Sequence, residues 1–352
     1  MADDYGYANA RLRAMWGRLL TTADYERLLA RENVEAVIAV LSTTEYKEDV
    51  ESAVLHATGV QCVAAALRLN TARTFQKVRG FFDAAEQQRL IQILLSRWDL
   101  FNLKTVIRGQ IAQIPAADVL ESVVPAGQLD MLALETLAKQ PGLQAMAGLM
   151  LTQQLPYAHP LAIALHSYRG REDLAALELA LTRYHYASIL EALEGGSQHA
   201  DLVRLMVDAE IDTLNLSVYL RLWRESQRTL EQMADSKSWL IAGGTVGERR
   251  WKRLLVADSV DTIVKTLQAT AYGRIVDSGL RNGATDIYRL LERHLTTQGV
   301  NMWYGDPLSI SMAIGYMWAK VSEVTNLRLI AYAVAGELAR EIVRMEWNAW
   351  RN

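Results

Sequence analysis

The sequence predicts an all-α protein built from three similar modules, and three observations carry that prediction. Only six of the 352 residues are proline, the residue that breaks helices. Ala, Leu, Glu, Arg and Gln, all good helix formers, dominate, and no sustained apolar–polar alternation suggests a strand. A short motif also returns at a nearly fixed interval: an acidic residue, two variable positions, Asn, then Leu. It reads Asp99, Asn102, Leu103; then Asp212, Asn215, Leu216; then Glu323, Asn326, Leu327. The asparagines stand 113 and then 111 residues apart. A constant period of this kind marks repeated structural units.

Taken in order, Tyr5 to Leu20 is a helix-compatible run. Thr22-Ala23-Asp24-Tyr25 reads as a helix start, with Thr22 or Asp24 as the cap. Arg27-Leu28-Leu29 follows, and then a second apolar segment from Val34 to Tyr46. This pair repeats as well. Arg253-Leu254-Leu255 matches Arg27-Leu28-Leu29, and Val260, Leu267, Thr270 and Tyr272 match Val34, Leu41, Thr44 and Tyr46. Each offset is 226 residues, twice 113. The middle copy is poorly preserved, and Thr152 to Tyr157 is its best candidate. Each module therefore reads as a short helix pair, a connecting helix and a helix bearing the acidic-x-x-Asn-Leu element. The connecting helices are expected near 80–95, 173–193 and 284–294. Cuts near 119 and 236 give modules 1–119, 120–235 and 236–352. Asp235-Ser236-Lys237-Ser238 and nearby Gly243-Gly244 support the second cut. The last third is rich in aromatics: Trp303, Tyr304, Tyr316, Trp318, Trp347 and Trp350. Gly305-Asp306-Pro307-Leu308 reads as a turn into a helix, with Asp306 as cap and Pro307 at the first helical position.

Around the first motif, Ile91, Leu94, Leu95, Trp98, Val106 and Ile107 recur at three- and four-residue steps. Asn102 falls on that stripe, and Asp99 lies three residues before it, close enough to bond along the helix. A buried Asn is costly unless it is paired. Two readings fit the six residues Asp99, Asn102, Asp212, Asn215, Glu323 and Asn326: a ligand or proton site, or a structural clamp between helices. Buried polar groups usually have partners for stability, which favours the clamp.

Composition narrows the function further. The chain is 51% hydrophobic and 22% charged, enough for a sizeable core. A net charge of −3 gives no basic bias toward nucleic acid. One cysteine, Cys62, excludes a disulfide framework. The acidic start Met1-Ala2-Asp3-Asp4 does not resemble a secretory signal. The longest apolar run, Leu308 to Ala319, is broken by Ser309 and Ser311 and is too short to span a bilayer.

The sequence carries no complete catalytic motif. Gly243-Gly244-Thr245-Val246-Gly247 lacks the Lys-Ser/Thr of a phosphate loop and reads as a flexible turn. His56, His159, His166, His185, His199 and His294 are scattered, and none has the spacing of a zinc or di-iron ligand set. Gly195-Ser197 does not complete a nucleophile elbow. Asp258 and Asp261, like Glu32 and Glu35, read as helix N-terminal charge.

The chain resembles the C subunits of the V-type and A-type rotary ATPases, a family whose member in the eukaryotic vacuolar enzyme goes by the letter d. The resemblance covers essentially the full length. It is carried by Tyr7-Ala8-Asn9-Ala10-Arg11-Leu12-Arg13, Trp98-Asp99-Leu100-Phe101-Asn102-Leu103-Lys104, Ala158-His159-Pro160-Leu161, Asp306-Pro307-Leu308 and Glu323-Val324-Thr325-Asn326-Leu327-Arg328. It implies a funnel of three helical modules around a pseudo-three-fold axis. The funnel would sit on the cytoplasmic face of a membrane proteolipid ring and receive the central stalk. It also implies a coupling role without catalytic residues, which agrees with the expectation from motifs, charge and apolar-run length of no cofactor, metal, nucleic acid or transmembrane segment. The rival expectation is a generic α-helical repeat scaffold, elongated and open.

Overall fold

A computed structural model describes residues 5–168, 173–225, 239–281, 287–336 and 338–346. Among the described residues there is no strand; the protein is all-α. The chain forms two compact units. One joins Met1–Leu165 to Gly299–Asn352, and the other is His166–Gln298.

After an opening helix α1 (Gly6–Trp16), the helices follow a repeating order of three short and two long. The first set is α2 (Thr22–Leu29), α3 (Val34–Leu41), α4 (Lys47–Ala53), α5 (Gly59–Arg79) and α6 (Ala85–Ile111). A five-residue helix α7 (Ala116–Leu120) intervenes. The second set is α8 (Met131–Ala138), α9 (Leu143–Thr152), α10 (Ala158–Tyr168), α11 (Leu174–Ala192) and α12 (Gln198–Glu225). The third is α13 (Glu248–Leu254), α14 (Val260–Leu267), α15 (Gly273–Arg281), α16 (Ile287–Asn301) and α17 (Ser311–Val334), with α18 (Arg340–Glu346) following. Where the sequence suggests a short pair, the structure has three short helices. The first connecting helix is α5, at 59–79 rather than 80–95. Gly80 ends it, and the apolar stripe from Leu90 onward belongs to α6. The cut expected at 119 falls within α7, and Asp235–Ser238, Trp347 and Trp350 lie outside the described residues.

Local chemistry fixes the helix starts. Thr21 caps α2, and Asp24 completes the capping box by accepting from the Thr21 amide at 2.9 Å. The cap is therefore one residue earlier than expected, because the Thr21 backbone is extended and its hydroxyl can turn back on the Asp24 amide. Asn33 caps α3 and Ser259, its partner at 226, caps α14. Asp306 does not cap a helix. It accepts from the Leu308 amide at 2.9 Å in a tight turn, and α17 begins only at Ser311.

In the first unit the core gathers both ends of the sequence. Leu327, Ile330, Ala331 and Val334 of α17 pack with Leu28 and Leu29 of α2, Val37 and Leu41 of α3, and Val63 and Leu67 of α5. Ten consecutive residues, Ser311 to Lys320, are buried, so α17 is a core helix rather than a surface one. Its close packing needs small residues: a side chain at Gly315 would strike Trp303, and one at Gly299 would strike the Trp318 ring. Trp303 is thereby held flat against Trp16, ring centres 4.0 Å apart. Tyr304, in contrast, is exposed. The second unit repeats the packing logic. Leu216, Leu220 and Trp223 of α12 meet Trp251 and Leu254 of α13 and Ile263 and Leu267 of α14. In both units a long helix supplies the wall against which the next set's short helices fold.

Candidate functional site

The six motif residues are all buried, none more than 1% exposed. Aliphatic neighbours and helix geometry put them there; their polar atoms must then find partners. In the first two copies the partners are not one another. Asp99 and Asn102 turn away from their own helix to bond with the loop after it. The Asn102 amide group donates to the Val124 carbonyl and accepts from the Val124 N–H, both at 2.7 Å. Asp99 accepts from the amides of Gln128 at 2.9 Å and Leu129 at 2.8 Å. Asn215 does the same with Ile241, both bonds at 2.9 Å. Asp212 accepts from the Thr245 amide and hydroxyl, each at 2.7 Å, and from the Val246 amide at 3.3 Å.

These loops run directly into helix starts. Leu129 precedes Asp130, the cap of α8, and Val246 precedes Gly247, the residue before α13. Each carboxylate thus fixes the entrance of the next set of short helices. The third copy obeys the same rule across the length of the sequence. Glu323 accepts from the amide of Leu20, 303 residues away, just before the Thr21 cap of α2.

The second repeated motif serves the same carboxylates. Thr44 and Thr270 each bond back to a leucine carbonyl at 2.7 Å and accept the amide of the tyrosine two residues on at 3.3 Å. That turn aims the tyrosine inward. The Tyr46 hydroxyl donates to Glu323 at 2.7 Å, and that of Tyr272 bonds Asp212. In the middle set Thr152 instead bonds the Gly148 carbonyl within its helix, and Tyr157, though buried, sits at φ 66°.

Loop and acid are matched in size. A side chain at Gly127 would strike the Asp99 carboxylate, and one at Gly244 the Asp212 carboxylate. The position two residues before the held amide is Gly127, Gly244 and, in the third copy, Arg18. There the acid is Glu, whose extra methylene reaches a loop that keeps its distance. The Gly243-Gly244 turn is therefore a seat for a carboxylate, with Gly244 also donating to Asp208 at 3.1 Å.

The third site differs in charge. Lys320, buried like Glu323, donates to Glu323 and to the Tyr46 hydroxyl, each at 2.8 Å, and lies over the Tyr46 ring at 4.2 Å. The first two sites have Ser96 and Ala209 at the corresponding place. Burial pushes the Asp99 and Asp212 carboxyls above their usual range, against the lowering effect of the loop amides. Burial, reinforced by Glu323, likewise raises Tyr46.

Sequence alone points to the acids, the asparagines and the Thr-x-Tyr turn, but not to their junction. It misses Lys320, Leu20 and Gly127, and reads Gly244 as part of a flexible turn rather than as the seat of a carboxylate. Only Lys320 leaves a readable trace, the Lys-x-x-Glu spacing. The other polar candidates have ordinary surroundings. His185 is buried against Tyr186, and His294 packs edge-on to Tyr272, its pKa lowered by burial. Asp261 pairs with Arg281. Cys62 is buried and its thiol is pushed up. Among the described residues no three His, Cys, Asp or Glu side chains cluster as metal ligands. No helix among them is long and apolar enough to cross a membrane.

Three outcomes follow from this chemistry. Asn102→Leu strands the buried Val124 amide and carbonyl and should lower stability by about 3 kcal/mol in urea unfolding. Lys320→Met leaves the buried Glu323 charge without its cation. It should cost about 3–5 kcal/mol, and adding Glu323→Gln should recover part of that loss in a double-mutant cycle. The raised carboxyls of Asp99 and Asp212 bind protons more tightly folded than unfolded. Their contribution is thus complete below the ordinary value of 3.8 and declines as pH climbs through the higher folded values. The stability difference between the wild type and the Asp99→Asn/Asp212→Asn variant should therefore shrink, or turn against the wild type, as pH rises across that window.

The model of the ATP synthase (C/AC39) subunit family matches residues 8–346. Among curated proteins the chain is similar to the A-type ATP synthase C subunit of Methanosarcina mazei, with 28% identity over 97% of this chain and 92% of the relative. The protein of the same name from Archaeoglobus fulgidus is 29% identical over 93% and 91%. That of Thermococcus kodakarensis is 24% identical over 97% and 89%. With a match that runs almost from end to end, the chain belongs to the ATP synthase (C/AC39) subunit family.

Proposed function

We propose that the chain is a non-catalytic central-rotor subunit of a rotary V/A-type ATPase, linking the central stalk to the membrane proteolipid ring on the cytoplasmic face. In this role it keeps ATP turnover and proton or sodium movement mechanically joined. The observation that carries the reading is the threefold use of one buried anchor, with the last copy holding the entrance of the first set. A chain whose end grips its beginning suits a closed collar, and that closure underlies the proposed pseudo-three-fold arrangement of modules 1–119, 120–235 and 236–352. Transmitting torque calls for stiffness. Bidentate side-chain-to-backbone bonds supply directional restraint that apolar packing lacks. The polar groups described above are occupied in holding backbone, which leaves them a structural rather than a chemical task.

In membranes carrying the assembled ATPase, removal of this protein should leave ATP hydrolysis by the soluble head intact and abolish ATP-driven ion uptake. Ion pumping that persists without it would defeat the proposal.

A further inference from the structure

A small cleft opens beside the third anchor, within the first unit. It is lined by Arg18, Glu45, Arg73, Lys77, Tyr316 and Lys320, among others. Four cationic side chains face one acid. The decisive feature is the balance of donors and acceptors left over once internal bonds are counted.

The acids around the cleft are already engaged. Glu45 pairs with Arg18 at 3.3 Å, Asp49 and Glu48 pair with Arg73, and Glu323 pairs with Lys320. Asn70 spends its amide hydrogens on Asp49 and the Glu45 carbonyl, and its oxygen accepts from Thr74. The donors are not exhausted. Lys320 uses two of its three N–H groups, on Glu323 and Tyr46. Arg18 uses Nε and one terminal nitrogen, leaving the other. Lys77 has no partner among the described residues. The Tyr316 hydroxyl, on a side chain only 3% exposed, has no hydrogen-bond partner among them either. Its oxygen is not sealed from solvent and opens into the cleft, beside the unspent N–H groups.

We propose that this cleft binds a small oxyanion, phosphate or carboxylate, through Tyr316 and Lys320 at its floor and Lys77 and Arg18 at its rim. An oxyanion is acceptor-only and complements a surface on which the unspent donors of Lys320, Arg18, Lys77 and Tyr316 outnumber the one open acceptor, Glu45 Oε2. The ligand sits where α17 meets the segment before α2, so it braces the same seam as Glu323.

Thermal unfolding of the full chain, titrated with inorganic phosphate at constant ionic strength against chloride, tests the site. The wild type should show a saturable rise in Tm. Lys77→Gln and Tyr316→Phe should each weaken the apparent affinity by about tenfold, the loss of one charge-assisted bond. Lys77 is exposed and the tyrosine change removes only an unpartnered hydroxyl, so both variants should unfold at the wild-type temperature without phosphate. No saturable rise in the wild type, or the same rise in both variants, overturns the proposal. N-acetylglutamate in a second arm separates the sources. Competition with phosphate identifies an acidic side chain of a partner as an acceptable occupant, whereas binding of phosphate alone restricts the site to the free ion.

Discussion

A buried carboxylate accepting backbone amides from a loop is the constraint on which this architecture turns. Taking an acid out of water is expensive, and the rise in the Asp99 and Asp212 carboxyls records that cost. Two amide donors at each acid, joined at Asp212 by the Thr245 hydroxyl, offset much of it, and the geometry they demand is narrow. The loop must approach closely, which is why Gly127 and Gly244 stand where a side chain would collide with the acid. The asparagine one turn on adds a second grip, with donor and acceptor both used on a single residue of the same loop. Helix and loop are thereby locked in register by bonds that apolar contact alone cannot specify.

The charged version at Glu323 shows how the same device adapts. Its loop carries Arg18 in place of glycine, the acid is longer by one methylene, and Lys320 and Tyr46 join it. A buried ion pair is weak evidence for added stability, since matched apolar groups often do as well. Its value here is selectivity: the Leu20 loop offers its amide to an acid that already holds a lysine and a tyrosine. The third anchor is thus distinguished from the other two by chemistry as well as by position.

Helices and period are plain in the sequence because both leave periodic traces. Apolar spacing around Asn102 marks α6, and the 226-residue offset of Tyr46 and Tyr272 marks a shared turn. What the acids bind is not legible. Asp99 to Leu129 and Asp212 to Val246 differ in separation, 30 residues against 34, so no fixed spacing announces the contact. Glu323 to Leu20 runs backward along the chain, and no local pattern encodes that. The division into short and long helices near residue 80 is misplaced because a continuous apolar stripe does not reveal a break that Gly80 imposes.

The backward reach of Glu323 also bears on synthesis. The amide of Leu20 leaves the ribosome 303 residues before its acceptor exists. Until then α2 and α3 lack the wall that Leu327, Ile330 and Val334 provide. Contacts of such sequence separation form late and at high entropic cost. The earliest-made segment therefore waits, apolar face uncovered, for the last long helix, and a ribosome stalled before α17 would release a chain prone to stick to others.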